Sequence, residues 1–388
     1  MVMTKQSLLI LTYEFPGDSG RQGGIGGYTF DLANAFNSKV DVLVFAPRIG
    51  NCREFDGKRG YGIRRVANIL IIKEILLFLM TFKHILFHKV DCIFCSSWLP
   101  GGIIAFLMNK IFGTPYVVSA HGSEILDRQN SGSILKEELR GRLSFLKKHV
   151  YNHAQRVFSV SNYTKRILIN DGIRPEKIDV VKNGVDLGRF GPLEVKNKSE
   201  MLEGKILLTV SRLDKHKGHD LVIEALPYVL KKIRNVKYLI IGQGPEEQKL
   251  RNLVKYKGLN DCVSFLGYVS DKDLVKYYRI CDAFIMLSKE ISGDFEGFGL
   301  VYLEANACGK PVIGARTGGI EDAIIDGETG LLIDDLAAQN VAGTILKLLE
   351  NEDLANKLGK GGYEAVVKNR TWNQVAERML KLMRVGAN

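Results

Sequence analysis

Two short stretches carry the side chains whose types and spacing suggest chemistry. In FEGFGLVYLEANACGKPV (295–312), Glu296 and Glu304 flank a glycine-rich turn and the start of a helix. Gly297 and Gly299 let backbone amides approach a ligand closely. A helix beginning near Leu300 turns the positive end of its dipole toward the same place, and Gly309 and Pro311 end it. One carboxylate can reach the hydroxyls of a sugar and the other those of a ribose. In SRLDKHKGHD (211–220), Arg212 and Lys217 leave the end of a strand-like run five residues apart. Two fixed cations there would stabilise the negative charge that grows on a departing diphosphate. A solvated loop would show the same composition.

Two further stations are less specific. GGIGGYTFDLANAF (23–36) reads as a glycine-rich loop that follows the first strand and enters a helix. The amides around Gly26 and Gly27 could cradle a phosphate or lie against a sugar; a tight structural turn would use the same glycines. The loop lacks the K-[ST] ending of a P-loop, and Thr29 stands where a dinucleotide fingerprint has its third glycine. His121, in HGSE (121–124), sits at a strand's carboxyl end, where an imidazole could hydrogen-bond a sugar hydroxyl or serve the fold alone.

These residues need a scaffold that brings strand ends together. Apolar strand-like runs alternate with amphipathic helical patterns along the chain, which predicts parallel α/β sheets. The first half reads as strands at 7–13, 39–46, 90–97, 115–120, 156–160 and 177–182. The second reads as strands at 205–211, 236–242, 262–267, 281–288, 311–315 and 329–334. The polar, glycine-bearing stretch 188–205 reads as a linker. The expected organisation is an N-terminal domain over 1–187, a second domain over 188–370 and a last helix over 371–388. Two doubly wound, Rossmann-like domains would face a central cleft, with ligands at the carboxyl ends of their strands.

The chain has 388 residues and a net charge of +11, unevenly placed. Residues 1–190 hold 26 Lys and Arg against 16 Asp and Glu, so the first half is basic and the second nearly neutral. An anionic membrane surface, a phosphorylated acceptor or a merely solvated basic face would each suit that half. No aromatic-interleaved basic motif supports nucleic-acid binding. No stretch of about 20 uncharged apolar residues is present to span a bilayer, and 7–13 is too short for a signal-peptide core, so a cytoplasmic protein is expected. Six cysteines make no disulfide framework; Cys92 and Cys95 read as a buried structural pair. The segment IKEILLFLMTFKHILFHK (72–89) is apolar nearly all round. It packs wholly on a sheet, or it leaves an apolar edge for a membrane interface, with Lys58, Arg59, Arg64 and Arg65 meeting lipid head groups.

Taken in order, the glycine loop at 23–27, HGSE (121–124), SNYTK (161–165), NGVD (183–186), SRLDKHKG (211–218), GQGPE (242–246), FLGYV (265–269) and EGFGLVYLEA (296–305) resemble the retaining glycosyltransferases of family GT4, which have the GT-B fold. The resemblance spans almost the whole chain. It implies that Gly26 and Gly27 lie beside the donor's phosphates and the acceptor, and that His121 meets the transferred sugar. Arg212 and Lys217 would clamp the diphosphate, and Tyr268 and Val269 would meet the base. Glu296 would hold the sugar hydroxyls, Phe298, Gly299 and Leu300 would offer amides near the distal phosphate and sugar, and Glu304 would bind the ribose. It also implies transfer with retention from a nucleotide-diphosphate sugar, with no cofactor and no metal. GGIED (318–322) departs from the family's usual G-G-x-P-E, with Glu321 and Asp322 in the Pro and Glu positions. A narrower similarity, through KEISGDFEGFG (289–299) and VYLEA, points to mannosyltransferases acting on phosphatidylinositol mannosides. A lipid-linked or glycan acceptor and a place on the inner face of the cell membrane are therefore expected. A GT-B epimerase or phosphorylase is the alternative within enzymes, and a nucleic-acid-binding protein a distant one.

Overall fold

The computed structural model describes residues 5–17, 24–70, 72–122, 134–192 and 203–384, except for the side chains of 134–140. The chain divides into two compact units, one of residues 1–183 with 372–388 and one of 184–371.

The first unit is built on seven parallel strands: β1 (Ser7–Leu11), β2 (Asp41–Pro47), β3 (Gly62–Val66), β4 (Cys92–Cys95), β5 (Tyr116–Ala120), β6 (Arg156–Ser159) and β7 (Ile178–Val180). Their order is β3-β2-β1-β4-β5-β6-β7. Leu8, Leu9, Ile10 and Leu11 are all fully buried, as expected for a parallel strand covered by helices on both faces. Cys92 and Cys95 are free and buried; burial pushes the Cys92 thiol up to about 12 and Cys95 well above its usual range, so neither is a thiolate at neutral pH. The final helix, Trp372–Met383, buries Trp372, Val375, Ala376, Met379, Leu380 and Met383 and packs on helix Gly24–Asn37.

Two sequence expectations change here. The edge strand β3 lies in YGIRRV, whose two arginines hide its strand character. Arg65 is not a lipid contact: its side chain is 3% exposed, pairs with Asp56 at 2.8 Å and donates to the carbonyls of Phe15, Pro16 and Pro47. Lys58 bonds Glu54 at 2.6 Å, and Arg59 lies over Phe30 and Phe55. Of that cluster Arg64 is exposed in β3. The apolar segment forms helix Ile72–Phe87, which buries one narrow stripe, Leu77, Thr81 and His84. Ile72, Ile75, Leu79 (54% exposed), Leu86 and Phe87 (69%) face solvent, together with Leu107 and Ile111 of helix Ile103–Phe112. The two helices touch through Phe82 and Phe112, at a ring distance of 5.1 Å.

The second unit has six parallel strands: β8 (Lys205–Val210), β9 (Val236–Ile241), β10 (Val263–Gly267), β11 (Ala283–Met286), β12 (Val312–Ala315) and β13 (Gly330–Ile333). Their order is β10-β9-β8-β11-β12-β13. The strand order of each sheet thus reverses once, between β1 and β4 and between β8 and β11, which makes a crevice at the carboxyl ends of those strand pairs. In the stretch read as a linker, Leu187–Phe190 is a short helix whose Phe190 is buried edge-on against Tyr278 in the second unit. Residues 193–202 lie outside the described residues.

Candidate active site

In the second unit the site grows from the ends of β8 and β11. The chain after β8 runs through Ser211–Lys217 and turns at Gly218, whose φ is +72°. A Cβ on Gly218 would lie 1.9 Å from the Leu287 carbonyl oxygen, so only glycine permits this approach. The Lys289 amide then donates to the His216 carbonyl at 2.6 Å, and Lys289 pairs with Asp220 at 2.7 Å. These bonds stitch the loop after β8 to the loop after β11. They place Lys217 Nζ 2.7 Å from Glu296 Oε2, with side chains 18% and 14% exposed. Arg212 is placed differently: it is 76% exposed and pairs with Asp214 at 3.4 Å. Lys217 is thus held in a nearly buried pair, while the Arg212 guanidinium lies largely in solvent.

The GQGPE turn braces the same loop from the other side. Gly242 has φ +134°, and a Cβ there would lie 1.9 Å from the Ser211 carbonyl oxygen. The Leu213 amide donates to the Gln243 carbonyl and the Glu246 amide to the Leu213 carbonyl. His219 is buried, with Nε2 3.0 Å from Ser211 Oγ. Burial first, and the nearby Lys217 charge second, push its pKa down to about 4. His216 is lowered for the same two reasons. Both imidazoles are neutral at neutral pH, so Arg212 and the lysines carry the positive charge of this loop.

Glu296 is fixed through its main chain. Gly318, at φ +57°, passes so close that a Cβ would lie 2.6 Å from the Glu296 carbonyl oxygen, and the Gly319 amide donates to that oxygen at 2.8 Å. Both glycines of GGIED thus touch the site. Phe298 is buried, and Gly299 (φ +87°) caps helix Leu300–Ala307, whose free N-terminal amides follow. A Cβ on Gly299 would lie 2.5 Å from the ring of Tyr302, whose hydroxyl donates to the Met286 carbonyl. Glu304 lies on the same helix, 6% exposed, and Oε2 accepts a 2.8 Å bond from the Tyr278 hydroxyl. Tyr268, exposed, and Val269, half-buried, follow β10. The sequence pointed to neither Tyr278 nor the glycine pair: the tyrosine sits in helix Asp271–Ile280 with no motif around it, and the glycines belong to a segment noted for its departures at 321 and 322.

The first unit has a second set of residues at the ends of β1, β4 and β5. The glycines Gly24–Gly27 are not a loop: they form the first turn of helix Gly24–Asn37. Gly26 is buried where a Cβ would lie 3.4 Å from Glu14, so the small residue lets the helix sit close to the chain leaving β1. Gly23, Ser123 and Glu124 lie outside the described residues. His121 Nε2 lies 2.9 Å from the Ser96 carbonyl, so Nε2 carries the proton. The Tyr28 ring packs edge-on against the imidazole at 4.4 Å, and Trp372 of the final helix packs on Tyr28 at 5.4 Å. A cavity of about 220 Å³ opens between the β1 and β4 ends, lined by Tyr13, Glu14, Ile25, Ser96, Ser97, Trp98 and Leu99.

The arrangement in the second unit offers an anion a fixed lysine, an exposed arginine and helix N-terminal amides, with two carboxylates for hydroxyl groups. The family described as Glycosyltransferase Family 4 matches residues 22–189, and that described as Glycosyl transferases group 1 matches residues 193–365. A GDP-mannose-dependent alpha-(1-6)-phosphatidylinositol monomannoside mannosyltransferase of Mycolicibacterium smegmatis is 25% identical over 97% of this chain and 98% of its own. A D-inositol 3-phosphate glycosyltransferase of Acidothermus cellulolyticus is 30% identical over 76% of this chain and 67% of its own. The crystal structure of Anabaena HepE in complex with UDP-glucose superposes with a TM-score of 0.79 at 20% identity, over 97% of this chain and 99% of that one, a likeness of fold. The chain belongs to the family 4 (group 1) glycosyltransferases and has their GT-B fold of two Rossmann-like domains.

Proposed function

We propose that this glycosyltransferase moves a hexose from GDP or UDP to a lipid-linked acceptor, with retention at the anomeric carbon, on the cytoplasmic face of a membrane. The observation that carries the donor half is the Lys217–Glu296 pair, held by backbone bonds at the point where the strand order of the second sheet reverses. A diphosphate laid over the N-terminus of helix Leu300–Ala307 meets the amides of Gly299 and Leu300. Lys217 and Arg212 then neutralise the charge that grows as the bond from anomeric carbon to phosphate oxygen breaks. Glu296 accepts hydrogen bonds from the sugar's hydroxyls, Glu304 from the ribose, and the backbone at Tyr268 and Val269 meets the base. The acceptor oxygen attaches on the face the diphosphate leaves, and its proton passes to the leaving phosphate oxygen. No side chain is a nucleophile in this scheme, and no metal or cofactor takes part. His121 and the first turn at Gly26 and Gly27 belong to sugar and acceptor contacts.

The acceptor half rests on the exposed apolar edge of Ile72–Phe87 and Ile103–Phe112, set in a basic unit that also exposes Lys83, Lys89 and Lys110. Among the described residues no helix is long and apolar enough to cross a membrane, so an in-plane contact suits this edge. The named activity of the Mycolicibacterium relative, on a phosphatidylinositol monomannoside, supports a lipid acceptor. Thermal stabilisation by GDP, UDP and ADP, then by their sugars, identifies the donor, because a ligand that binds only the folded state raises its melting temperature. The double substitution of Arg212 and Lys217 by Ala should abolish transfer and leave the unliganded protein folded, with a cooperative melting transition. Near-normal transfer by that variant would remove the clamp.

A further inference from the structure

We infer that Tyr278 is a positioning residue for nucleotide recognition: its hydroxyl orients the Glu304 carboxylate so that Glu304 tells ribose from deoxyribose. The inference rests on the assignment of Glu304 to the ribose. Tyr278 is fully buried, and its hydroxyl donates to Glu304 Oε2 at 2.8 Å. The two residues come from different helices, Asp271–Ile280 and Leu300–Ala307, so the bond ties the helix that presents the carboxylate to the one beside it.

The geometry around the ring leaves it little freedom. Phe190 packs on it edge-on at 5.8 Å, and Phe284 of β11 lies at 5.8 Å on the core side. Phe190 is itself held, because Cys308 Sγ donates to its carbonyl oxygen at 2.9 Å. Burial, and then the neighbouring carboxylate, raise the phenol well above its usual range, so the hydroxyl stays a proton donor. A carboxylate has about four acceptor positions. A bond from a rigid phenol to one of them fixes the plane in which the others lie. A carboxylate that rotates freely would bond a ribose hydroxyl less often, and a ligand lacking that hydroxyl would lose less by comparison.

The test compares GDP with 2′-deoxy-GDP, and UDP with 2′-deoxy-UDP, by isothermal titration of the whole chain. The ratio of the two dissociation constants for whichever base binds is read for the parent protein, Tyr278→Phe, Glu304→Gln and the double variant. Tyr278→Phe keeps the ring and its packing and removes only the hydroxyl. The expected result is that it lowers the ribose preference about tenfold, the worth of one hydrogen bond to a charged group, and that Glu304→Gln does the same. The double variant should lose no more than Glu304→Gln alone. Ribo- and deoxyribonucleotide are measured on one preparation, so a partial loss of folded protein scales both and leaves their ratio intact. If Glu304→Gln abolishes the preference and Tyr278→Phe retains it in full, the positioning role is overturned. If Glu304→Gln retains it, the ribose assignment itself is wrong and the inference falls with it.

Discussion

Lys217→Met separates the two things the Lys217–Glu296 pair can do. Methionine keeps the apolar stem of the side chain and removes the ammonium, so Glu296 loses its partner at 2.7 Å in a setting where it is 14% exposed. Breaking a fully buried ion pair costs about 3–5 kcal/mol. The residual exposure of both side chains lets water recover part of that, so about 1–3 kcal/mol is expected here. For a domain of this size that is a fall of about 3–10 °C in melting temperature. Adding Glu296→Gln removes the stranded charge and should restore most of that stability. Transfer should behave otherwise. A fixed cation at a developing diphosphate charge is worth about 10²–10³ in rate, and the glutamine cannot supply it. Differential scanning fluorimetry and initial rates at saturating donor, measured on the parent, both single variants and the double variant, give the two readouts. Recovery of the rate together with stability in the double variant would show that Lys217 only holds Glu296 in place.

Three further outcomes follow from the geometry. Gly299→Ala forces alanine to φ +87° with its Cβ 2.5 Å from the Tyr302 ring; urea denaturation should show a loss of about 2–4 kcal/mol, and a loss under 1 would mean the helix start can shift freely. His219, with a pKa near 4 against an ordinary 6.5, binds its proton more readily in the unfolded chain. Its contribution is therefore full above pH 6.5 and is lost as pH falls toward 4, about 3 kcal/mol in all. Urea midpoints across that range should flatten in His219→Gln, and an unchanged slope would assign the acid sensitivity elsewhere. Finally, Ile75→Glu with Leu79→Glu should reduce co-sedimentation with phosphatidylglycerol-containing liposomes at low salt while leaving the melting temperature unchanged, since both side chains are already exposed. Equal co-sedimentation by parent and variant would remove this edge from the membrane contact.

Much of the scaffold was legible because buried parallel strands are near-continuous apolar runs, as SLLILTY and KILLTVS show. β3 escaped because it is an edge strand in which Arg65 turns inward, and a buried arginine held by three carbonyls and Asp56 looks in sequence like a surface cation. Gly24–Gly27 read as a loop because glycine marks turns. What selects it at Gly26 is close packing against Glu14, and no local pattern distinguishes the two demands. The pairing of Lys217 with Glu296 joins residues 79 apart, and that of Tyr278 with Glu304 joins two helices. Motif spacing placed three of these four residues near strand ends, but which atoms meet depends on how the loops are stitched. Glu304 shows the difference: the sequence offered a carboxylate for hydroxyls, and the structure adds the phenol that orients it.

The return of helix Trp372–Met383 to the first unit has a consequence for biosynthesis. The helix it covers, Gly24–Asn37, emerges from the ribosome early, but its partner emerges only after the whole second unit has been made. At about 5–20 residues per second the intervening chain takes on the order of 20–70 s to synthesise. For that interval the surface of Tyr28 that Trp372 later covers is open to water and to other nascent chains. The first unit therefore cannot bury that surface until the second has been synthesised, although most of it is translated first. A truncation that removes the final helix would leave the same surface uncovered permanently.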